Sequence, residues 1–175
     1  MLDYFRKQAD QAYRDLTSSF EELDEPGSWR RLVPVEGDYL HSDGSILGQV
    51  THVAGCKVLY ASAAFYEMEI RLRQVTDRTI AIGHDWDAAK AYLVESQDYW
   101  INSWKDVEAA SLEEMVATNW GEQWPLWKVL DTVIGHDHYH AGQIALTRSV
   151  APIATEPPPA TSDEEIDFLK TFSAW

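Results

Sequence analysis

The spacing of apolar side chains constrains this chain most. It repeats at three and four residues over long stretches and almost nowhere at two. Leu2, Phe5, Ala9, Ala12, Tyr13, Leu16 and Phe20 fall on one side of a helix over residues 2–23, which Pro26-Gly27 is expected to stop. A polar loop then runs to Gly44, and within it residues 32–35 are the only strand-like stretch. Ile46, Val50, Val53, Ala54, Val58, Ala61 and Phe65 predict a second helix over 45–74. Asp85 is a good N-cap for a third over 86–107, with the acidic start that the helix dipole favours. Ser111-Leu112-Glu113-Glu114 reads as a capping box for a short helix, and Pro125 suits the first turn of a fourth long helix over 125–148. Four long helices joined by loops predict an all-α fold, a four-helix bundle over residues 1–150. A tail over 151–175 follows, with prolines at 157–159 and a capping box at Ser162-Asp163-Glu164-Glu165 that opens a trailing short helix to about 172.

Charge narrows the partners. The 175 residues hold 14 Lys and Arg against 29 Asp and Glu, a net charge of −15. Such a surface repels phosphate backbones and anionic lipid, so neither nucleic acid nor a membrane is an expected partner. No apolar run reaches the roughly 18–20 residues that span a bilayer. The first ten residues carry charges where a signal peptide needs an apolar stretch, and the single Cys56 cannot close an internal disulfide. A cytoplasmic protein is expected.

Six histidines are present, at 41, 52, 84, 136, 138 and 140. A helix turns about 100° per residue, so His136 and His140 project from one face while His138 points about 200° away from His136. Two imidazoles four residues apart can reach one ion, and a catalytic site usually takes three protein ligands and leaves a position open. His52, near the start of the second helix, is the best third ligand; His41 and His84 fall in loops and are weaker candidates.

Two segments carry a resemblance. Ile46-Leu47-Gly48-Gln49-Val50-Thr51-His52-Val53-Ala54 and His136-Asp137-His138-Tyr139-His140-Ala141-Gly142-Gln143-Ile144 resemble the second-helix and fourth-helix signatures of the DinB/YfiT-like superfamily of metal-dependent four-helix bundles. The second motif is the more specific. The order of helices fits over residues 1–150, and His138 stands at a position the family does not require. The resemblance implies one divalent ion held by His52, His136 and His140. It also implies relatives that use low-molecular-weight thiols, such as bacillithiol S-transferases and mycothiol-dependent maleylpyruvate isomerase, and others that are hydrolases. The expected activity is a thiol-dependent S-transferase on a small-molecule substrate. The alternatives are a hydrolase using hydroxide on the ion, and a non-enzymatic bundle that holds an ion or ligand. Zinc is the first choice, with nickel, iron or manganese as alternatives, and a low-molecular-weight thiol is the expected cosubstrate.

The surrounding residues leave roles open. Asp137 gives a His-Asp-x-x-His pattern like the His-Glu-x-x-His of zinc proteases, but one methylene shorter; orienting a neighbour or capping charge is the expected role. Cys56, one turn after His52, is either a donor near the ion or a small buried hydrophobe. Gln143 is either a hydrogen-bonding group near the ion or a packing amide, and Gly142 is expected to let its helix approach a neighbour closely. The chain holds 8 Trp, 8 Tyr and 5 Phe. Of these, Tyr99, Trp100, Trp104, Trp120, Trp124 and Trp127 either wall an apolar pocket or fill the core. A homodimer is expected, with its contact near Trp100, Trp104 and His138.

Overall fold

A computed structural model describes residues 1–32, 44–150 and 157. It is mostly helical, and six α-helices lie among the described residues: α1 Leu2–Ser19, α2 Glu25–Ser28, α3 Ile46–Phe65, α4 Leu72–Ile82, α5 Trp86–Ser103 and α6 Leu126–Ser149. Helix α1 buries Leu2, Phe5, Ala9, Ala12 and Leu16, the face that its apolar spacing marks out. Pro26 and Gly27 do not simply end it. They lie inside α2, a single turn whose first amides are capped by Asp24, with Oδ1 accepting from Gly27 N at 2.8 Å.

Helix α3 starts at the Ser45 cap, where the hydroxyl accepts from Gly48 N at 2.9 Å. Buried residues occur all round it, so α3 is a central helix rather than an amphipathic surface one. It packs against α4, α5 and α6, while α1 packs along α6. The single helix expected over 45–74 is two. It ends at Phe65 because Glu67 and Met68 adopt left-handed φ of 49° and 62°. Ser62 holds the turn: its hydroxyl donates to Ile70 O at 2.9 Å and accepts from Ile70 N at 2.7 Å. Helix α4 then folds back onto α3, and the closest approach is at Gly55, where an added Cβ would lie 2.6 Å from Val75 Cγ1.

Asp85 caps α5 as expected, its carboxylate accepting from Ala88 N at 2.9 Å, but the helix stops at Ser103 rather than near 107. The short helix expected from Ser111 is a 3-10 turn over Ala109–Glu113. Two strands follow that the sequence did not announce, β1 Met115–Ala117 and β2 Gln123–Pro125. They pair antiparallel with Val116 opposite Trp124, closed by Gly121 at φ 88° and by the Thr118 hydroxyl accepting from Glu122 N at 2.9 Å. Pro125 is the N-cap of α6, one position before the first turn where it was expected. At the far end of α6, Arg30 donates to the carbonyls of Arg148 and Val150, and Arg148 donates to Ser19 O at 2.7 Å.

Two apolar clusters fill the interior. One gathers Leu16, Phe20, Val50, Val53, Trp86, Leu93 and Ile144; the other gathers Phe5, Ala12, Trp100, Trp104, Leu130 and Val133. Trp100 and Trp104 are 1% and 2% exposed, so they are core residues and cannot form the outward dimer patch expected of them. No helix among the described residues is long and apolar enough to cross a membrane. His41 and the trailing helix expected over 162–172 lie outside the described residues.

Gly55→Ala would drive a methyl into a β-branched neighbour with few rotamers to escape into. Overpacking of this kind costs about 1–3 kcal/mol. Thermal melting of the variant is expected to show a lower midpoint, which Val75→Ala in the same chain should partly restore.

Candidate metal centre

Helices α3 and α6 pack on each other, and their facing sides bring three histidines into contact. His52 Nε2 lies 3.1 Å from His136 Nε2, and His140 Nε2 lies 3.1 Å from the same atom. The ring of His52 is 5.0 Å, centre to centre, from each of the other two, which are 4.4 Å apart. The three rings that the sequence singled out therefore form a compact triangle. His138 is elsewhere: it is exposed, with Nδ1 3.4 Å from Asp15 Oδ2 on α1, as its helical phase requires. His84 sits in the turn before α5, where its carbonyl accepts from Trp29 Nε1 at 3.5 Å.

The two separations at His136 Nε2 suit nitrogens that share one divalent ion. Nitrogens bound at roughly 2.0–2.1 Å are about 2.9 Å apart at a right angle and about 3.4 Å apart at the tetrahedral angle. The observed 3.1 Å falls between these limits. With Nε2 of all three rings unprotonated, the lone pairs converge and a single cation serves them together. Burial holds His136 down to about 3, helped by repulsion from His140 and His52. Burial and His52 hold His140 down to about 3 as well, against an opposing side-chain contact with Gln143. Both rings are thus neutral near pH 7, the form that ligates metal.

Cys56 joins the cluster from the next turn of α3. Its Sγ is 3.7 Å from Nε2 and 3.9 Å from Nδ1 of His52. One ligand atom each from His52, Cys56 and His136 lies within 4.8 Å of the others. Burial pushes the thiol up to about 12, so without a cation it stays protonated. The sulfur lies at nearly equal distances from both ring nitrogens, beside the imidazole rather than along one lone pair.

Behind the histidines, Lys57 Nζ donates to Asp137 Oδ2 at 2.5 Å, with the two residues 1% and 2% exposed. Burial lowers the Lys57 pKa and raises that of Asp137, and each charge opposes the other's shift. Asp137 directs this oxygen to a lysine in the core rather than acting as a protease-type base. Lys57 is the residue that sequence reasoning passed over. The available signal was a lone cation in the otherwise apolar run from Val53 to Ala64. Gln143 Nε2 donates to the Tyr139 hydroxyl at 2.8 Å. Gly142 faces open space, so the close helix approach expected there is found at Gly55 instead.

One turn beyond Cys56 on α3, Tyr60 meets Trp120 edge-on at 5.5 Å; Trp120 meets Trp124 at 4.9 Å, and Lys128 Nζ sits 3.5 Å from the Trp124 ring centre. Trp120 is exposed and Trp124 half-buried. The aromatic residues thus divide. Trp100 and Trp104 are core; Tyr60, Trp124 and Trp127 are half-buried against it, and exposed Trp120 extends the Tyr60–Trp124 surface into solvent. No family model, curated protein or solved structure matches the chain.

The depressed histidines set a pH dependence. In the metal-free folded chain His136 and His140 stay unprotonated down to about 3, while in the unfolded chain they take up protons near 6.5. The unfolded state therefore binds more protons in that window, and stability falls as pH falls through it, by up to about 1.4 kcal/mol per unit per histidine. Urea melts of metal-free protein at pH 7.5 and pH 5 should show the drop, and His136→Gln should flatten it. An unchanged slope in that variant would refute the assignment.

Proposed function

We propose that the chain is a metal-dependent enzyme, a four-helix bundle of α1, α3, α5 and α6 whose His52, His136 and His140 hold one divalent ion. The observation that carries this reading is the approach of His52 Nε2 and His140 Nε2 to within 3.1 Å of His136 Nε2, on two helices far apart in sequence. Zinc is the first choice, with nickel, iron or manganese compatible with imidazole donors. When bound, the ion supplies a Lewis acid with its full charge, since three neutral imidazoles add none, and favours the deprotonated form of a thiol or of water.

The activity proposed is thiol-dependent transfer to a small electrophile, as the resemblance implies. The chain's own residues serve it in two ways. The paired Lys57 and Asp137 fix α3 against α6, so the ligands are held in place before any substrate arrives. Tyr60, Trp120 and Trp124 offer flat apolar surface along α3 from Cys56, suited to an unsaturated or aromatic acceptor. Hydrolysis uses the same ligands and is the alternative chemistry. A second reading, a non-enzymatic bundle with a closed ion site, draws on Cys56 in the cluster as a fourth donor. The net charge of −15 supports a small-molecule rather than a nucleic-acid or membrane partner. A cytoplasmic homodimer remains part of the proposal, with its contact away from buried Trp100 and Trp104.

Metal analysis after dialysis tests the ligand set. Wild type and His138→Ala are expected to carry about one ion per chain, and His140→Ala less than about a tenth of that, with all three keeping their helical far-UV signal. Full metal content in His140→Ala would remove the site. Turnover with a panel of thiols and electrophiles then separates transferase from hydrolase.

A further inference from the structure

Among the described residues, two buried polar atoms beside the histidine cluster have no hydrogen-bond partner: Oδ1 of Asp137 and Nδ1 of His140. The first is an acceptor. The second becomes a donor once Nε2 holds an ion, because a neutral imidazole then carries its one proton on the other nitrogen. The two residues are three apart on α6, where side chains share a face with Cβ atoms about 5–6 Å apart. Both are more than nine-tenths buried, so neither atom can turn to bulk water. The structure forms no hydrogen bond between them; with the proton on Nδ1 they are a donor and an acceptor on one side of α6.

Building on the metal reading above, we propose that Asp137 is a positioning residue of the metal centre, its Oδ1 accepting the Nδ1–H of His140 while its Oδ2 stays on Lys57. The ion pair at 2.5 Å anchors the carboxylate from α3, so the ring of His140 is oriented by a chain of contacts that starts in the core. A carboxylate on the distal nitrogen fixes the rotation of a ligating imidazole and raises its basicity. The rival acceptor is Gln143, three residues further along α6, whose amide nitrogen donates to Tyr139 and whose side chain also lies in contact with His140.

Zinc-loaded full chain with 15N-labelled histidine separates the two. Wild type is expected to show a slowly exchanging Nδ1 proton on His140. Asp137→Ala strands a buried lysine and can unfold the chain, so Lys57→Met/Asp137→Leu is made beside it, removing both charges at similar volume. That double variant is expected to stay helical, to lose the protected His140 proton and to bind zinc about 10–100-fold more weakly. Gln143→Met is expected to keep both the proton and the affinity. A protected proton retained in the double variant, zinc affinity there within about threefold of wild type, or loss of the proton in Gln143→Met overturns the proposal. A wild-type chain that takes up no zinc fails differently, since it removes the metal reading itself.

Discussion

Everything in this fold answers to the burial of α3. A helix buried over most of its surface must be covered on several sides, and α4, α5 and α6 do so, leaving the stripe of His52, Cys56, Tyr60 and Ala64 half-buried. Such a helix can bring a polar group inward only if the group finds a partner there. Lys57 finds Asp137, Thr51 returns its hydroxyl to the carbonyls of Leu47 and Gly48, and Ser62 binds both backbone groups of Ile70. His52 finds two more imidazoles. The last solution differs from the others, because three like rings meet there, and each neutral ring carries one donor and one acceptor nitrogen.

The buried ion pair shows how structure and site are tied together. Replacing both charges by apolar groups is often nearly neutral for stability, whereas losing one partner is costly. The pair ties a fixed position on α6 to a fixed position on α3. A shift of α6 by one residue would rotate His136 and His140 by about 100° and dissolve the triangle of rings.

Long periodic elements were legible in the sequence; irregular ones were not. The apolar face of α1, the start of α3 near Ser45, the cap at Asp85, and the extent of α6 within a residue at each end all followed from spacing and caps. The break after Phe65 did not, because left-handed Glu67 and Met68 are neither glycine nor proline, and a serine hydroxyl eight residues from its partner holds the turn. The hairpin was invisible because each strand is three residues long and the turn has no Asn-Gly signal. His52, His136 and His140 were legible because imidazoles are rare on an apolar helix face. Lys57 was not, since its meaning depends on Asp137, 80 residues away. Trp100 and Trp104 were left between core, pocket wall and dimer contact because composition alone cannot tell a core tryptophan from an interfacial one.

The packing of α1 along α6 joins the two ends of the described helices, and Arg148 fastens the seam by its bond to Ser19 O. Contacts at such sequence separation form late, after the entropy of closing a long loop has been overcome. The apolar face of α1 is covered chiefly by α6, so a chain without that helix leaves most of it bare. That same helix delivers two of the three clustered imidazoles. Covering α1 and completing the histidine triangle thus depend on the same helix, and a chain that stops short of it offers only His52 and Cys56 of the cluster.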